Sequence, residues 1–443
     1  MTDTIFALAT PPGRSGVAVV RLSGPATSAI LATLIDSRLP KARHASLRSL
    51  KSTEGGIIDQ SLVLWFEGPA SFTGEDSAEL QIHGGPAVIA ALADRLIELD
   101  ARPAEAGEFT RRAFQNGKLD LTEAEGLADL IDAETEAQRR QALAQMSGSL
   151  KDLYQSWRDQ LISVLAALEG EIDFPDEEDV PDHLGQTAGD PIRALLLALQ
   201  SHLDDDHRGE RIREGFHIAL IGAPNAGKSS LLNRLAKRDA AIVTEIPGTT
   251  RDIVEVRMVL GGYAVVLSDT AGLRQTTDRV EAEGVKRARA RADMADLRLG
   301  VFDVSRETPE ALLAELKPAD AIIANKIDLN PDFNTTLSES ENAIFAISAE
   351  TGNGVEALEA WITEIVADRL SGSDAPALSR ARHRRSIALA QDHLQIALGR
   401  LSDAPEIAAA EAHLAVRALA ALTGHVDVED ILDQVFSQFC IGK

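Results

Sequence analysis

Gly222-Ala223-Pro224-Asn225-Ala226-Gly227-Lys228-Ser229 is the stretch that decides the fold of this chain. It fits the pattern G-x-x-x-x-G-K-[ST], follows the apolar run 216–221 and precedes the helical sequence 231–235. In that setting the glycines let backbone N–H groups surround a β-phosphate. Lys228 neutralises β- and γ-phosphate oxygens, and Ser229 offers its hydroxyl to Mg²⁺. The stretch therefore predicts a phosphate-binding loop between a strand and a helix.

A second motif follows the apolar run 264–267. Asp269-Thr270-Ala271-Gly272 has a carboxylate at the end of a predicted strand, where it can hold Mg²⁺ through water. The N–H of Gly272 is placed to reach a γ-phosphate. This motif predicts the metal side of the nucleotide site.

A third motif, Asn325-Lys326-Ile327-Asp328, follows the apolar run 321–324 and indicates the base. An Asp at its end can accept hydrogen bonds from N1–H and the exocyclic amine of guanine, a donor pair that adenine lacks. Alone, the motif is equally compatible with a solvated turn, but the three motifs in this order are typical of a translation-factor-like GTPase. Ser348-Ala349-Glu350 stands where that class uses S-A-K to support the base, and Glu350 departs from the usual Lys.

The motifs leave open how the hydrolytic water is oriented. Leu273, which has no hydrogen-bonding side chain, stands where Ras-like enzymes carry a Gln. Arg251 or Arg274 is a candidate arginine finger, although either is also compatible with a solvated surface residue. Alternatively, Asn225 and the loop 244–249 supply oxygens to a monovalent cation with the same electrostatic role. Thr250 is expected to close on Mg²⁺ and the γ-phosphate as part of a mobile switch.

The residue pattern changes three times along the chain, between strand-like and helical periodicity. Residues 1–118 alternate short apolar runs (17–22, 61–66, 80–82) with Gly and Pro, which predicts strands and one helix over 87–99. Residues 119–214 and 371–443 show helical periodicity, and 215–370 show the strand–helix alternation of a parallel sheet, with strands at 216–221, 264–267, 297–302, 321–324 and 343–347. In the first helical segment, apolar residues recur mostly three or four apart, which predicts that they lie on one face of long helices: Leu127, Leu130, Ile131, Leu143, Met146, Leu150, Leu153, Trp157, Leu161, Leu165 and Leu168. We expect a multidomain α/β plus α protein, with a P-loop domain inserted into a two-piece helical domain.

Composition excludes several classes of protein. The 443 residues contain one cysteine, so neither a disulfide scaffold nor a thiolate zinc cluster is possible. No apolar run reaches 18 residues and the start lacks the features of a signal peptide, so we expect a cytoplasmic protein without a membrane span. The net charge of −25 disfavours generic nucleic-acid binding, and most of the acidic excess lies in 119–214. The dense basic run Arg380 to Arg385 is compatible with contacts to nucleic-acid phosphates or with a solvated helix face.

Several further stretches carry a family resemblance over essentially the whole chain. Together with the P-loop they are 9–14, 21–24, 71–76, 83–86, 116–121, 172–175, 213–215, 247–252, 269–274 and 439–443. In these stretches the chain resembles the MnmE (TrmE) family of tRNA-modification GTPases. The resemblance implies a folate-binding and dimerising α+β domain over 1–118, helical segments at 119–214 and 371–443, and an inserted Ras-like G domain over 215–370.

The resemblance also implies an activity and its partners. Family members install a carboxymethylaminomethyl or aminomethyl group at C5 of wobble uridine 34 of tRNA, together with the FAD-dependent protein MnmG (GidA). They use a 5-formyl- or 5,10-methylene-tetrahydrofolate unit, and K⁺ takes the arginine-finger role while two G domains of the homodimer meet transiently. By the family pattern, Glu281 orients the water, Arg21, Glu79, Lys118 and Lys443 bind folate, and the K⁺ ligands are Asn225, Thr244, Ile246 and Thr249.

The expected site residues form three sets. The catalytic set is Glu281, Lys228 and Asn225, and the Mg²⁺ ligands are Ser229 and Thr250. The GTP and cation contacts are Asn225, Ala226, Gly227, Lys228, Ser229, Ser230, Thr244, Glu245, Ile246, Pro247, Gly248, Thr249, Thr250, Asp269, Thr270, Ala271, Gly272, Asn325, Lys326, Asp328, Ser348 and Ala349. Cys440, three residues before folate-matching Lys443, is either a buried small side chain or a reactive thiol near the carbon carrier.

Two rival functions remain at the level of sequence. A ribosome-assembly GTPase of the Era or Der kind would carry a basic KH-like domain after the G domain, where this chain has an Ala-rich helical sequence. A folate-binding scaffold with a decaying nucleotide site is opposed by the complete set of phosphate, Mg²⁺ and guanine motifs.

Overall fold

A computed structural model of the chain describes residues 3–173, 188–238, 254–269, 292–306, 310–330, 333, 342–372, 376–424, 429–437, 439 and 442. The strands are β1 Thr4–Leu8, β2 Ser15–Ser23, β3 Ser46–Lys51, β4 Ile57–Phe66, β5 Ser77–Gly84, β6 Ala101–Pro103, β7 Phe216–Ile221, β8 Val254–Leu260, β9 Tyr263–Asp269, β10 Leu297–Asp303, β11 Ala321–Asn325 and β12 Ala343–Ala346. The helices are α1 Thr27–Leu34, α2 Pro86–Glu98, α3 Glu108–Gln115, α4 Leu121–Asp132, α5 Glu136–Met146, α6 Ser149–Asp173, α7 Gly189–Leu203, α8 Arg208–Glu214, α9 Lys228–Arg238, α10 Glu310–Leu313, α11 Val355–Leu370, α12 Ala381–Arg400, α13 Pro405–Thr423 and α14 Glu429–Ser437.

The chain forms two compact units. The first comprises Met1–Ile131, Ala144–Leu196 and Ser386–Lys443, and the second comprises Asp132–Leu143 and Leu197–Arg385. The domain boundaries expected after residues 118, 214 and 370 stay a prediction. Among the described residues, no helix has the length and apolarity needed to span a bilayer.

The first unit contains a six-stranded sheet in the order β3-β4-β5-β2-β1-β6. Its pairs are antiparallel except for β1 with β6. Alternate side chains such as Val20, Leu22 and Leu80 are buried in one core together with residues of α1 and α2, as the period of two in a half-buried strand requires. The expected strands and the helix expected at 87–99 are confirmed within β2, β4, β5 and α2.

Helices make up the rest of the first unit. The Ala-rich α13 packs against α6 and buries Ala408, Ala412 and Ala415, whose small side chains let the two helix backbones approach closely. The apolar face expected on the long helices from Leu127 to Leu168 is confirmed in α6 but is wrong at Ile131 and Leu143. In α6, Leu150, Trp157, Leu161, Leu165 and Leu168 are buried, whereas Ile131 and Leu143 are 40% exposed. The reason is that the stretch forms three helices, α4, α5 and α6, and each begins its own helical phase.

The second unit contains a sheet in the order β12-β11-β10-β7-β9-β8, with β8 antiparallel to β9 and the remaining pairs parallel. All five strands expected here are present; the first four contain buried apolar residues, and β12 is half-buried at the end of the sheet. The sequence patterns missed β8. Its signal is the pair Gly261-Gly262 between two apolar runs, with φ of 58° and 85°, which only glycine adopts readily in a two-residue hairpin.

The chain segments that enter and leave this sheet lie side by side. Arg213, at the end of α8, donates from Nε to the carbonyl of Ser379 at 2.9 Å. A Cβ on Gly209 would lie 2.4 Å from the carbonyl oxygen of Leu378, so the two backbones are in direct contact. Such adjacent entry and exit points are what an inserted domain requires.

Candidate functional site

The phosphate-binding loop connects β7 to α9. Gly222, at φ 141°, lies so close to β10 that a Cβ would be 2.0 Å from the carbonyl oxygen of Val301. Gly227, at φ 96°, lies against Asn325, where a Cβ would be 2.1 Å from Nδ2. Both positions therefore require glycine, and the loop is fixed directly on β10 and β11.

Lys228 is placed across this loop. Its side chain is largely buried, and Nζ donates to the carbonyls of Gly222 and Ala223 at 2.8 and 2.9 Å. The ammonium group thus lies at the mouth of the loop, where phosphate oxygens of a nucleotide are expected.

Ser229 and Asp269, which belong to the first two motifs, are in direct contact. Asp269 ends β9, is 4% exposed, and accepts a hydrogen bond from the Ser229 hydroxyl at 2.5 Å. The pair offers a hydroxyl and a carboxylate oxygen, the ligand chemistry that Mg²⁺ prefers. Asn225 is exposed in the left-handed conformation at φ 67°, and Ala226 is buried beside it.

The guanine motif is joined to the phosphate loop by one side chain. Asn325 is 1% exposed; its Nδ2 donates to the carbonyl of Ala226 at 2.8 Å, and its Oδ1 accepts from the N–H of Ala349 at 3.0 Å. Asp328 follows in an exposed 3-10 turn. The buried Ser348 hydroxyl accepts from the N–H of Thr351 and closes the loop that carries Ala349. The Asn325 side chain thus joins two motifs whose contacting residues are 99 positions apart in the sequence.

Two residues of this surface were missed from the sequence. Asp303 ends β10, is 2% exposed, and binds Nζ of Lys326 through Oδ2 at 2.6 Å. Arg234 of α9 donates from Nε to the carbonyl of Ala349 at 3.0 Å and also reaches the carbonyl of Glu350. The available signal was that Asp303 follows a predicted strand whose carboxyl end meets the same edge as the other motifs.

Hydrogen bonds decide the charge state of Asp303. Burial raises its pKa, but hydrogen bonds from Lys326 and from the hydroxyl and N–H of Ser305 lower the pKa to about 2. The carboxylate is therefore ionised at neutral pH and holds Lys326, which has φ of 65°, in one orientation beside Asn325.

The expected folate residues fall on the other sheet. Arg21 on β2 pairs directly with Glu79 on β5, with Nη2 at 2.9 Å from Oε1, and the guanidinium carbon lies 5.8 Å from the ring centres of Phe72 and Phe109. Exposed Lys118 lies beside the 71–76 loop, since a Cβ on Gly74 would be 3.2 Å from its Cε. The structure thus brings Arg21 and Glu79 together and places Lys118 against the loop that carries Phe72.

A buried ion cluster fixes that loop. Arg112 is fully buried and binds Glu75 at 3.1 Å, Asp3 at 3.0 Å and Glu108 at 2.9 Å. Glu75 also accepts from the hydroxyl of Ser23 at 2.8 Å. The loop is therefore attached both to α3 and to the end of β2, which carries Arg21.

The basic run 380–385 does not form the expected surface as a whole. His383 is fully buried, and Arg384 donates to the carbonyl of Leu203 at 2.7 Å and pairs with Asp205 and Glu210. For these two residues the interpretation as a solvated face is wrong, because His383 is buried and Arg384 is paired with acidic residues that follow α7. Arg385 is exposed.

Ser230 is exposed on α9, and the remaining predicted site residues lie outside the described residues. They are residues 244–250, 270–272, Glu281 and Lys443, together with Arg251, Leu273, Arg274 and Cys440. Their roles stay predictions.

The parallel sheet, the loop around Lys228, the Ser229–Asp269 pair and the guanine motif define a P-loop GTPase. Comparison with known proteins agrees. A family model described as "GTP-binding protein TrmE N-terminus" matches residues 4–118, and one described as "MnmE helical domain" matches residues 121–440.

Curated relatives match over the full length. Proteins named "tRNA modification GTPase MnmE" are 61% identical in Maricaulis maris (strain MCS10), 53% in Caulobacter vibrioides and 51% in Phenylobacterium zucineum (strain HLK1), each covering 100% of both chains. The chain belongs to the MnmE (TrmE) family of tRNA modification GTPases.

Proposed function

We propose that this protein hydrolyses GTP to control the modification of wobble uridine 34 in tRNA. The observation that carries the proposal is the meeting of Lys228, Ser229, Asp269 and Asn325 at the carboxyl edge of one sheet in a chain of this family. Lys228 binds β- and γ-phosphate oxygens, and Asp328 binds the N1–H and amine of guanine. Ser229 and Asp269 hold Mg²⁺, which neutralises charge that develops on the phosphates.

A monovalent cation is proposed to replace the arginine finger. Asn225 is exposed at the mouth of the phosphate loop, so its amide oxygen is available to K⁺ together with oxygens of Thr244, Ile246 and Thr249. Bound K⁺ supplies positive charge beside the phosphates. Glu281 is proposed to orient the hydrolytic water.

A tetrahydrofolate, in its 5-formyl or 5,10-methylene form, is proposed to bind at Arg21, Glu79, Lys118 and Lys443. The Glu79 carboxylate matches the paired donors of a pterin ring, and Phe72 offers a flat apolar surface beside Arg21. Lys118 matches the anionic glutamyl end of the ligand. Folate supplies the carbon unit when bound, and the role of the chain is to orient it.

The modification also requires partners. The family resemblance supports an FAD-dependent MnmG (GidA) protein as the second component, a homodimer through the N-terminal domain and a transient dimer of G domains. The cytoplasmic location expected from the sequence stays a prediction. The Era or Der alternative gains no support, since the described residues from 376 onward form α12, α13 and α14 without the strands of a KH-like module.

One preparation tests the nucleotide site and the folate site together. We expect GTP turnover to be faster in KCl than in NaCl, and 5-formyltetrahydrofolate to bind in either salt. The variant Asn225→Ala should lose the K⁺ stimulation and retain folate binding, and Glu79→Gln should show the reverse. Equal turnover in Na⁺ and K⁺ would refute the cation role, and unchanged folate binding by Glu79→Gln would refute the folate site.

A further inference from the structure

One stretch of the N-terminal sheet carries positive charge without any acidic residue. Residues 1–118 contain 12 basic and 13 acidic residues, yet the segment 37–53 contains five of the basic ones and none of the acidic ones. We call Arg38, Lys41, Arg43, Arg48 and Lys51 the basic edge. The remainder of the domain is correspondingly acidic, so charge is separated within one small domain.

The basic edge lies on the outermost strand of its sheet and in the turn that leads into it. β3 is the terminal strand next to β4, and Arg48 and Lys51 belong to it. Arg38, Lys41 and Arg43 are exposed, and Arg48 and Lys51 are half-buried. Among the residues that the structure describes, no carboxylate lies within 4.0 Å of the charged nitrogens of these five side chains. Their charge is therefore not neutralised within the described structure.

One member of the basic edge has a structural contact that fixes the turn. Arg43, at φ 62°, lies with its guanidinium carbon 5.8 Å from the ring centre of Phe66 and donates to the carbonyl of Ala70. The turn is thus attached to the end of β4. Arg38 and Lys41 project from a fixed turn, so binding a partner there orders little additional backbone.

Protection of an edge strand does not account for the sign of the charge. Charged residues on edge strands prevent pairing with other sheets, and Lys is common there. Charges of either sign on the strand would serve that purpose, however, whereas the segment holds five cations and extends into the turn before β3. Five uncompensated cations in a chain of net charge −25 indicate an anionic partner.

The position of the edge relates it to the proposed folate site. β3 lies two strands from β5, which carries Glu79, and three from β2, which carries Arg21. At about 4.8 Å between strands, the backbone of β3 is about 10 to 15 Å from the strands that carry that ion pair. A six-residue strand extends about 20 Å, the length of several nucleotides along an RNA backbone.

We propose that the basic edge is a docking surface of this chain for the phosphate backbone of tRNA, which brings the modified base toward Arg21 and Glu79. The inference rests on the proposed function, because family membership makes RNA the expected anionic partner. The contacts are phosphate contacts and carry no sequence specificity. The side chains 38, 41, 48 and 51 supply the charge, and Arg43 keeps the turn in place.

The test is tRNA binding to the full-length protein as a function of salt. The variant Arg38→Gln/Lys41→Gln removes two exposed charges from the turn. Arg139→Gln/Arg140→Gln on α5 is the control, since it removes two exposed charges elsewhere, both of which pair with Glu136. Binding is followed by fluorescence anisotropy of labelled tRNA over a range of KCl concentrations. GTP turnover of each sample reports whether the protein is intact.

We expect the first variant to bind tRNA about 10-fold more weakly at low salt, with GTP turnover unchanged. Its slope of log K against log [KCl] should be smaller by about 2, one unit for each lost phosphate contact. The control variant should match the wild type in both respects.

Four results would overturn the proposal. The first two are an unchanged slope of log K against log [KCl] in Arg38→Gln/Lys41→Gln and an equal loss of tRNA affinity in the control variant. The third is that the wild-type chain does not bind tRNA. The fourth is that polyglutamate or phosphatidylglycerol vesicles bind at Arg38 and Lys41 as tightly as tRNA does. Failure of the proposed function is distinguished separately by nucleoside analysis of cellular tRNA. A wild-type chain that supports modification while Arg38→Gln/Lys41→Gln keeps the full salt slope would refute the docking surface alone.

Discussion

At the scale of single residues, Asp303 and Lys326 illustrate what the motifs did and did not reveal. Asn325-Lys326-Ile327-Asp328 was recognisable because its residues are contiguous and end a strand. The carboxylate that orients Lys326 comes from the neighbouring strand, 23 residues earlier, and no local pattern links the two. The sequence motifs revealed the groups expected to contact the nucleotide but not Asp303, which holds Lys326 in place.

We expect Asp303→Asn to weaken GDP binding about 10-fold, because Lys326 loses the anion that fixes it, a charge-assisted contact of about 1.5 kcal/mol. Titration with a fluorescent GDP analogue measures the effect. In combination with Lys326→Met, the second substitution should add little. Additive losses in the double variant would show that Asp303 does not act through Lys326.

The low pKa of Asp303 sets the pH range over which its carboxylate stabilises the fold. Since the folded-state pKa is about 2, below the ordinary 3.8, the ionised carboxylate stabilises the fold above the ordinary value and this contribution is lost as pH falls toward 2. The difference in stability between wild type and Asp303→Asn should therefore be constant from pH 5 to 8. Denaturant titrations at several pH values check this, and a difference that changes near neutrality would contradict the assignment.

Arg111 and Arg112 are neighbours in sequence and opposite in environment. Arg112 is fully buried among three carboxylates, whereas the side chain of Arg111 is 38% exposed and faces Asp433 at 3.2 Å. Arg112→Ala empties a fully buried site and leaves Glu75 without an ion pair, whereas Asp3 and Glu108 keep Arg102, and it should cost about 3 to 5 kcal/mol of unfolding free energy. Arg111→Ala should cost less than about 1 kcal/mol. Urea denaturation monitored on the N-terminal sheet compares them, and equal costs would contradict the burial argument.

At the scale of elements, a strand or helix was predicted correctly where its sequence pattern lies within that element. Apolar runs predicted five strands of the second sheet, and the position of α2 was predicted within one residue at each end. The face expected across α4, α5 and α6 was wrong at Ile131 and Leu143, because periodicity does not show where one helix stops and another begins. The basic run 380–385 was partly misinterpreted because its partners at Leu203 and Asp205 lie about 180 residues away.

The β8–β9 hairpin gives a test at this scale. A Cβ would meet nothing within 4 Å at Gly262 or at Gly170 in α6, but Gly262 has φ of 85°. Gly262→Ala should therefore destabilise the hairpin by about 1 to 2 kcal/mol, and Gly170→Ala should stabilise α6 by about 0.5 to 1 kcal/mol. Hydrogen exchange of the corresponding peptides measures both, and the same sign at the two sites would rule out the conformational explanation.

At the scale of the whole molecule, charge is distributed unevenly among the segments of the chain. Residues 119–214 hold 8 basic and 23 acidic residues, whereas residues 1–118 are nearly neutral but contain the basic edge. The acidic excess of residues 119–214 thus disfavours tRNA binding to the first helical segment. The basic edge of the N-terminal sheet is available to bind tRNA instead. Composition alone predicted that residues 119–214 do not bind tRNA. The position of β3 at the edge of its sheet showed where a basic surface is available instead.

The central claim is that GTP hydrolysis by this chain is required for modification of wobble uridine. The most direct measurement is mass-spectrometric nucleoside analysis of tRNA from a strain that lacks its own family member and carries either the wild-type chain or Lys228→Ala. The account predicts C5-modified uridine with the wild type and only unmodified uridine with Lys228→Ala, because the loop then lacks the ammonium that neutralises the phosphates. Full modification in the Lys228→Ala strain would contradict it.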